Sequence, residues 1–154
     1  MKKWLLIYIA LLTCLIACKQ KVSFDSNKAT LLKKDDSAFL ALKDTAQLYI
    51  QTFIDSLKVY GRDTTKFHFQ IKSDYVDGDI HEHMWSNIYT YKNGLFDGLF
   101  ADTAFQVRNI KNGAKVTIKK SDVEDWLIYN VAKDQTIGYF SEEYLMSKKK
   151  RQQN

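Results

Sequence analysis

Two histidines and a glutamate stand together at His81, Glu82 and His83, in the segment D-I-H-E-H-M-W-S-N. Imidazole and carboxylate groups can bind a transition metal or transfer protons, so this cluster is the first candidate for chemistry. On a β-strand the two histidines project from one face and Glu82 from the other. Two imidazoles are too few for a tetrahedral zinc site, and the sequence contains no H-E-x-x-H motif. The cluster by itself therefore predicts no metal and no cofactor.

A third ligand would have to come from a neighbouring strand. A type I′ turn with Asp77–Gly78 as its two central residues places Asp74 opposite His81. His68, the remaining histidine, then lies opposite Asn87, far along the strand. Asp74 is thus the possible third ligand, and the alternative is a polar strand face with hydrogen-bonded histidines.

Two carboxylates raise the question of general acid–base catalysis. Glu82 is expected on the helix-covered face, where a lysine or backbone N–H groups would pair it, or where a raised pKa would make it an acid or base. Asp125 precedes Trp126 on a later strand and is expected to accept backbone N–H groups at a bulge or turn. The alternative is a carboxylate–imidazole pair between Asp125 and His83. Ser86 points to the other face, which disfavours a Ser-His-Asp hydrolase.

Aromatic residues give the same strand a different possible role. Trp85, Asn87, Tyr89 and Tyr91 share the face of His83 by period two, with Phe96 across from Tyr91. Such a face is either a second core, covered by the connection 101–112 and a closing helix, or an exposed binding surface. The candidate binding residues are Glu82, His83, Trp85, Tyr89, Asp125 and Trp126.

These side chains must be positioned by an α+β domain. Apolar residues at three- and four-residue steps predict one long helix over Ser37–Tyr60. Alternation and tight-turn dipeptides then predict a twisted, mostly antiparallel sheet, followed by a short C-terminal helix that begins near Ser141. The predicted strands are Phe67–Tyr75, Ile80–Tyr91, Leu95–Phe100, Lys115–Lys119, Val123–Asn130 and Thr136–Phe140.

The N-terminus predicts the compartment. Lys2 and Lys3 precede an apolar run, Trp4–Ala17, which is too short to cross a bilayer and suits a secretory signal. Its end, Leu15–Cys18, resembles the lipobox of bacterial lipoproteins. The resemblance implies that Cys18 carries diacylglycerol and an acyl group such as palmitate, and that the polypeptide is cut before it. We expect attachment to a bacterial envelope membrane through Cys18, on its periplasmic or surface side.

The expected organisation has four parts: signal peptide 1–17, lipidated cysteine and polar tether 18–36, a single domain 37–146, and a basic tail 147–154. Removing Lys2 and Lys3 lowers the formal charge from +5 to +3. An envelope protein of this modest charge is not expected to bind nucleic acid. No cysteine other than Cys18 remains in the processed polypeptide, which excludes a disulfide.

Several short motifs occur in one order that resembles the bacterial domain-of-unknown-function family 2314, the YegJ-like proteins. These are Glu82–Trp85, Gly94 with Gly98, Asn112–Gly113, Val123–Trp126 and Gly138–Phe140. The resemblance extends over about Ser37 to Met146, with departures at Ala104 and Ala114 in loops. The resemblance implies a fold and a cellular location, and it implies no reaction.

Two functions follow as expectations. The first is a non-enzymatic envelope lipoprotein whose domain binds a protein or peptide through the aromatic face. The second is a small envelope enzyme or metal-binding protein centred on His81, Glu82, His83 and Asp125.

Overall fold

The computed structural model describes residues 37–152, with side chains as far as residue 147. The predicted signal peptide, Cys18 and the whole of the predicted tether lie outside the described residues, as do the last two residues of the basic tail. The described residues form three helices and a six-stranded sheet. The elements are α1 (Ser37–Leu48), α2 (Ile50–Tyr60), β1 (Phe67–Asp77), β2 (Ile80–Lys92), β3 (Leu95–Phe100), β4 (Lys115–Lys119), β5 (Val123–Asn130), β6 (Gln135–Gly138) and α3 (Phe140–Gln152).

Two helices, α1 and α2, replace the single long helix predicted from Ser37 to Tyr60. Tyr49 separates them. Its φ of −98° and ψ of 5° lie in the bridge region between the helical and extended conformations. The N–H of Thr52 donates to the Tyr49 carbonyl three residues back, at 3.0 Å, so the helical ladder tightens there. Ala46 and Phe53, on either side of the break, are both fully buried against the sheet.

The sheet has the strand order β4-β3-β2-β1-β5-β6, and every neighbouring pair is antiparallel. All six predicted strands are present, and three of them have the predicted bounds. β1 lies in the interior of the sheet between β2 and β5. The α+β class is therefore confirmed, and the first four strands form a meander.

The β1–β2 register differs from the prediction by two residues. Asp77 pairs with Ile80, so the two central turn residues are Gly78 and Asp79, and Asp74 faces His83. The reason is that Gly78, with φ +62°, occupies the first central position, where a side chain would be strained. A shift of two residues keeps each side chain on its predicted face.

A bulge at Tyr89 was not predicted. Ile88 pairs with Gly98, and the next pair along omits Tyr89, so the expected pairing of Ile88 with Leu99 is wrong by one residue. Gly98 permits the close approach of the strands. A Cβ atom at this position would lie 1.9 Å from the carbonyl oxygen of Asn87.

The bulge moves two aromatic residues from the predicted binding face into the core. Tyr91 pairs with Phe96 as predicted, and their ring centroids are 4.6 Å apart. Both belong to the cluster beneath the helices, because the extra residue at Tyr89 reverses the alternation that follows it.

The core beneath α1 and α2 is organised around Phe53. Its ring centroid lies 5.6–5.7 Å from the rings of Phe69, Phe96 and Trp126. The indole N–H of Trp126 donates to the Ala46 carbonyl at 2.9 Å. Trp126, predicted as a candidate binding residue, is 1% exposed and belongs to this core.

The connection 101–112 covers the rest of the same sheet face. It buries Val107 against Met84 and Phe100 in a second, smaller cluster. Val107 therefore packs on the helix side of the sheet, and the connection leaves most of the opposite face, which we call the open face, uncovered. None of the described helices has the length and apolar character needed to cross a membrane.

Candidate functional site: a groove on the open face

The open face contains a shallow groove of about 510 Å³ that runs across β2, β1, β5 and β6. Strand alternation produces it, because the residues that face away from the helices on these strands all point into one concave surface. The groove is lined by His68, Gln70, Trp85, Ala101, Asp102, Leu127, Tyr129, Thr136 and Tyr139.

Two ring pairs form the aromatic part of the groove. His68 and Tyr129 pair across β1 and β5, and their rings stack with centroids 6.0 Å apart at 18°. Trp85 and Tyr139 approach from β2 and from the segment after β6, with centroids 5.8 Å apart at 36°. The groove thus offers aromatic rings from four different elements.

Gln70, which lines the groove, forms an amide pair with Asn87 on the neighbouring strand. Gln70 is flanked by Leu127 on β5 and by Asn87 on β2, and its Nε2 donates to the Asn87 Oδ1 at 2.8 Å. Among the described residues, the Gln70 Oε1 and the Asn87 Nδ2 have no further partner. One acceptor and one donor group are therefore left for a ligand.

Lys72 lies opposite Trp85 across β1 and β2 and contacts its indole. Its ammonium lies 5.7 Å from the Trp85 ring centroid and 2.7 Å from the Glu142 carboxylate at the start of α3. Lys72 is buried, so the ion pair with Glu142 compensates the charge that burial would otherwise leave unpaired. The contact with Lys72 holds the Trp85 indole in place, and Glu142 balances the positive charge of Lys72.

Tyr139 reaches the groove through an unusual backbone turn. Gly138 and Tyr139 both have positive φ, +85° and +68°, and the Tyr139 N–H donates to the Trp126 carbonyl at 2.8 Å. Burial raises the pKa of the Tyr139 phenol, and the nearby carboxylates of Glu142 and Asp125 add to the effect. The phenol is therefore a neutral hydrogen-bonding group at physiological pH.

Asp125 holds this turn and the start of α3. Its carboxylate accepts the N–H groups of Trp126 at 2.8 Å, Phe140 at 3.2 Å and Ser141 at 2.7 Å, and the Ser141 hydroxyl at 2.6 Å. Burial raises the pKa of Asp125, and these hydrogen bonds oppose that shift without cancelling it. The expected bulge-or-turn role fits this geometry, whereas the alternative pairing with His83 is wrong.

The imidazole of His83 pairs with Glu124, the neighbour of Asp125. Nδ1 of His83 lies 2.5 Å from the Glu124 carboxylate, and Lys43 of α1 reaches the same carboxylate at 3.4 Å. The hydrogen bond that the His83 imidazole donates to Glu124 raises the pKa of His83. Burial raises the pKa of Glu124, but the hydrogen bond and charge of His83, together with Lys43, outweigh burial and lower it.

Glu82 accepts backbone N–H groups, one of the two kinds of partner expected for it. Its carboxylate binds the N–H groups of Phe105 at 2.9 Å, of Val107 at 3.3 Å and of Gln106 between them. It therefore fixes the connection 101–112.

The centre predicted from His81, Glu82, His83 and Asp125 is not assembled. The two carboxylates are held in separate backbone networks, and the imidazoles pair with other acids. Within residues 37–147, no group of three or more histidine, cysteine or acidic residues is placed to hold a metal ion.

Of the candidate binding residues, Trp85 alone lines the groove. Tyr89 is 41% exposed at the bulge beside it, and the others lie elsewhere on the sheet or in the core. The sequence analysis missed His68, Gln70, Tyr129 and Tyr139 as a group. Alternation places the first three on one face, but their proximity depends on the β1–β5 pairing, which no local motif indicates.

The fold and groove define a class of small α+β domains in which helices cover one face of an antiparallel sheet and the other face stays open. The protein belongs to the family described as uncharacterized protein conserved in bacteria (DUF2314), whose profile matches residues 34–154. The resemblance inferred from the ordered motifs is therefore confirmed.

One relative is the uncharacterized protein YegJ of Escherichia coli (strain K12), with 31% identity over 87 residues. The match covers 50% of the present sequence and 57% of the relative, so it spans little more than half of that protein's length. No solved structure matches the sequence.

Proposed function

We propose that this protein is a membrane-anchored envelope lipoprotein whose domain binds a protein or peptide, without catalysis, in the groove on the open face. The observation that carries the proposal is the arrangement of two aromatic ring pairs on the open face, beside the part at Lys72 and Asp125 that the first turn of α3 covers. Tyrosine and tryptophan suit such a surface, because each buries a large apolar area and retains a polar atom.

The polar groups of the groove favour a ligand with amide groups. Gln70 and Asn87 leave an acceptor and a donor without partners among the described residues, and backbone carbonyl and N–H groups of a peptide can match them. The charge of Lys72 is balanced by Glu142, and Asp102 accepts the backbone N–H groups of Trp85 at 3.3 Å and Thr103 at 2.8 Å. An uncharged stretch of polypeptide therefore fits the groove better than a strongly acidic one.

The proposed localisation to the cell envelope is based on the sequence. A basic start, an apolar run and a lipobox ending at Cys18 occur together, and the polar segment to residue 36 supplies a tether. Cys18→Ala is expected to leave an unprocessed precursor without acyl label. Normal processing and labelling of this variant would contradict the lipid anchor.

The binding role is tested by photo-crosslinking in living bacteria. A photoreactive residue at Thr136, in the groove, is compared with one at Thr117, which is exposed on the far edge strand β4. We expect a reproducible polypeptide adduct from the first position only, lost in Trp85→Ala. Tyr89→Ala is the matched control, since it removes an exposed ring outside the groove lining and should retain the adduct.

Two results would contradict the binding role. One is an equal adduct from both positions, and the other is an adduct that persists in a folded Trp85→Ala variant. Near-ultraviolet circular dichroism of each variant establishes that the fold is retained.

A further inference from the structure

A second feature of the open face lies outside the groove lining, on β2 near the β1–β2 turn. His81 and His83 are two residues apart in a part of β2 that pairs regularly with β1, so their imidazoles project from the same face. Their side chains are 55% and 49% exposed. A solute ion can therefore reach both rings.

Each imidazole is held by a carboxylate through the same ring atom. Nδ1 of His81 lies 2.7 Å from Asp74, and Nδ1 of His83 lies 2.5 Å from Glu124. Because an ionised carboxylate only accepts, each Nδ1 carries the proton, and in the neutral ring Nε2 keeps its lone pair. Neither Nε2 makes a hydrogen bond within the described residues. Metal-binding histidines are commonly oriented by such a carboxylate.

We propose that His81 and His83 form an exchangeable site for a divalent transition-metal ion, with their Nε2 atoms as ligands and Asp74 and Glu124 as the groups that orient the rings. Two protein ligands do not make a closed structural site, so water or a donor from a bound partner completes the coordination. Imidazole sites of this kind bind Cu²⁺ more tightly than Zn²⁺. The proposal does not depend on the function proposed for the groove.

The charges around the pair suit a cation. Asp74 and Glu124 keep their negative charge when the ion binds, because coordination at Nε2 leaves the proton on Nδ1. Lys72 and Lys43 are the nearby cations, and each is held by a carboxylate, Glu142 or Glu124.

Zn²⁺ added to the ¹⁵N-labelled full-length protein tests the site without any substitution. Any free cysteine thiol is alkylated and no histidine tag is used, so that thiolates and added imidazoles cannot contribute. Long-range ¹H–¹⁵N spectra are expected to show Nε2 of His81 and His83 shifting with added zinc. His68 is the internal control, because its ring stacks on Tyr129. Equal shifts of all three histidines, or none, would overturn the proposal.

Calorimetric titration with Cu²⁺ identifies the histidines that bind the metal and the carboxylates that orient them. His81→Ala and His83→Ala are each expected to weaken binding at least about tenfold, whereas His68→Ala should leave it unchanged. Asp74→Asn keeps the shape of the side chain and is expected to weaken binding by about tenfold or more. Unchanged affinity in a variant lacking both His81 and His83 would overturn the proposal.

Discussion

Ser141 donates both its backbone N–H and its hydroxyl to one oxygen of Asp125, at 2.7 and 2.6 Å. The two residues come from β5 and from the first turn of α3, and both are buried. This contact fixes where α3 begins. It also fixes the turn that carries Tyr139 to the groove.

Asp125→Ala is expected to lower the free energy of unfolding by about 2–4 kcal/mol, since buried N–H and hydroxyl donors lose their acceptor. Asp125→Asn retains an acceptor oxygen and should cost less. Urea denaturation measures both, with the exposed Asp122→Ala as a control expected within about 0.5 kcal/mol of wild type. A loss in Asp125→Ala no larger than that of the control would refute the capping role.

The His83–Glu124 pair predicts a bell-shaped stability difference with pH. The raised pKa of His83 contributes stability that is fully present below its ordinary value of 6.5 and is lost as the pH rises through the raised value. The lowered pKa of Glu124 contributes stability that is present above 4.5 and is lost as the pH falls through the lowered value. Both contributions are therefore complete between pH 4.5 and 6.5.

His83→Gln should remove this stabilisation, by about 0.5–1 kcal/mol within that window, because the His83 side chain is half exposed and solvent screens the pair. Unfolding free energies of both proteins at several pH values provide the measurement. The difference in unfolding free energy between the wild type and His83→Gln should become smaller both above and below this pH window. A difference that grows steadily above about pH 7 has the wrong sign for this mechanism.

Phe53 is the residue on which the helix-covered core depends, because it contacts three other aromatic rings. Phe53→Ala is expected to destabilise the domain by about 3–5 kcal/mol, through lost burial and the cavity left behind. Val59→Ala, on the same helix but 68% exposed, is the control and should change stability by less than about 0.5 kcal/mol. Similar effects of the two substitutions in denaturant titrations would show that α2 does not pack as described.

Gly98→Ala tests the close approach of β3 to β2 at the bulge at Tyr89. The added methyl group would meet the Asn87 carbonyl oxygen, so the strands must separate at a cost of about 1–3 kcal/mol. Gly94→Ala is an informative comparison, because open space surrounds it and only its positive φ opposes a side chain. Amide chemical shifts should move along β2 and β3 in the first variant and stay local in the second. Local changes in both would argue against a tight β2–β3 approach.

Much of the fold could be predicted because its signals are local. Strand bounds follow from alternation and from turn dipeptides such as Asn93–Gly94, which need only neighbouring residues. The break at Tyr49 and the bulge at Tyr89 were missed, because tertiary packing decides them. The β1–β2 register failed because Asp77–Gly78 permits more than one turn position, and only the folded backbone selects between them.

The candidate site was harder to predict for the same physical reason. His68 and Tyr129 meet because β5 pairs with β1, and Tyr139 reaches Trp85 through a residue with positive φ. Neither fact has a short-range sequence signal. Asp125 and Glu82 were singled out correctly as carboxylates that need partners. The identity of those partners depends on contacts between distant segments.

The strand order also affects how the domain folds. β1 to β4 form by consecutive hairpins, and so do β5 and β6, but the β1–β5 ladder joins segments separated by three other strands. Closing so long a loop has a large entropic cost and is expected to limit the folding rate. Ile71→Val in that ladder should therefore slow refolding, whereas Ile118→Val on β4 should mainly accelerate unfolding, and stopped-flow kinetics in urea distinguish the two. β1 and β5, which together carry four of the nine residues that line the groove, are thus also where the two parts of the sheet are joined.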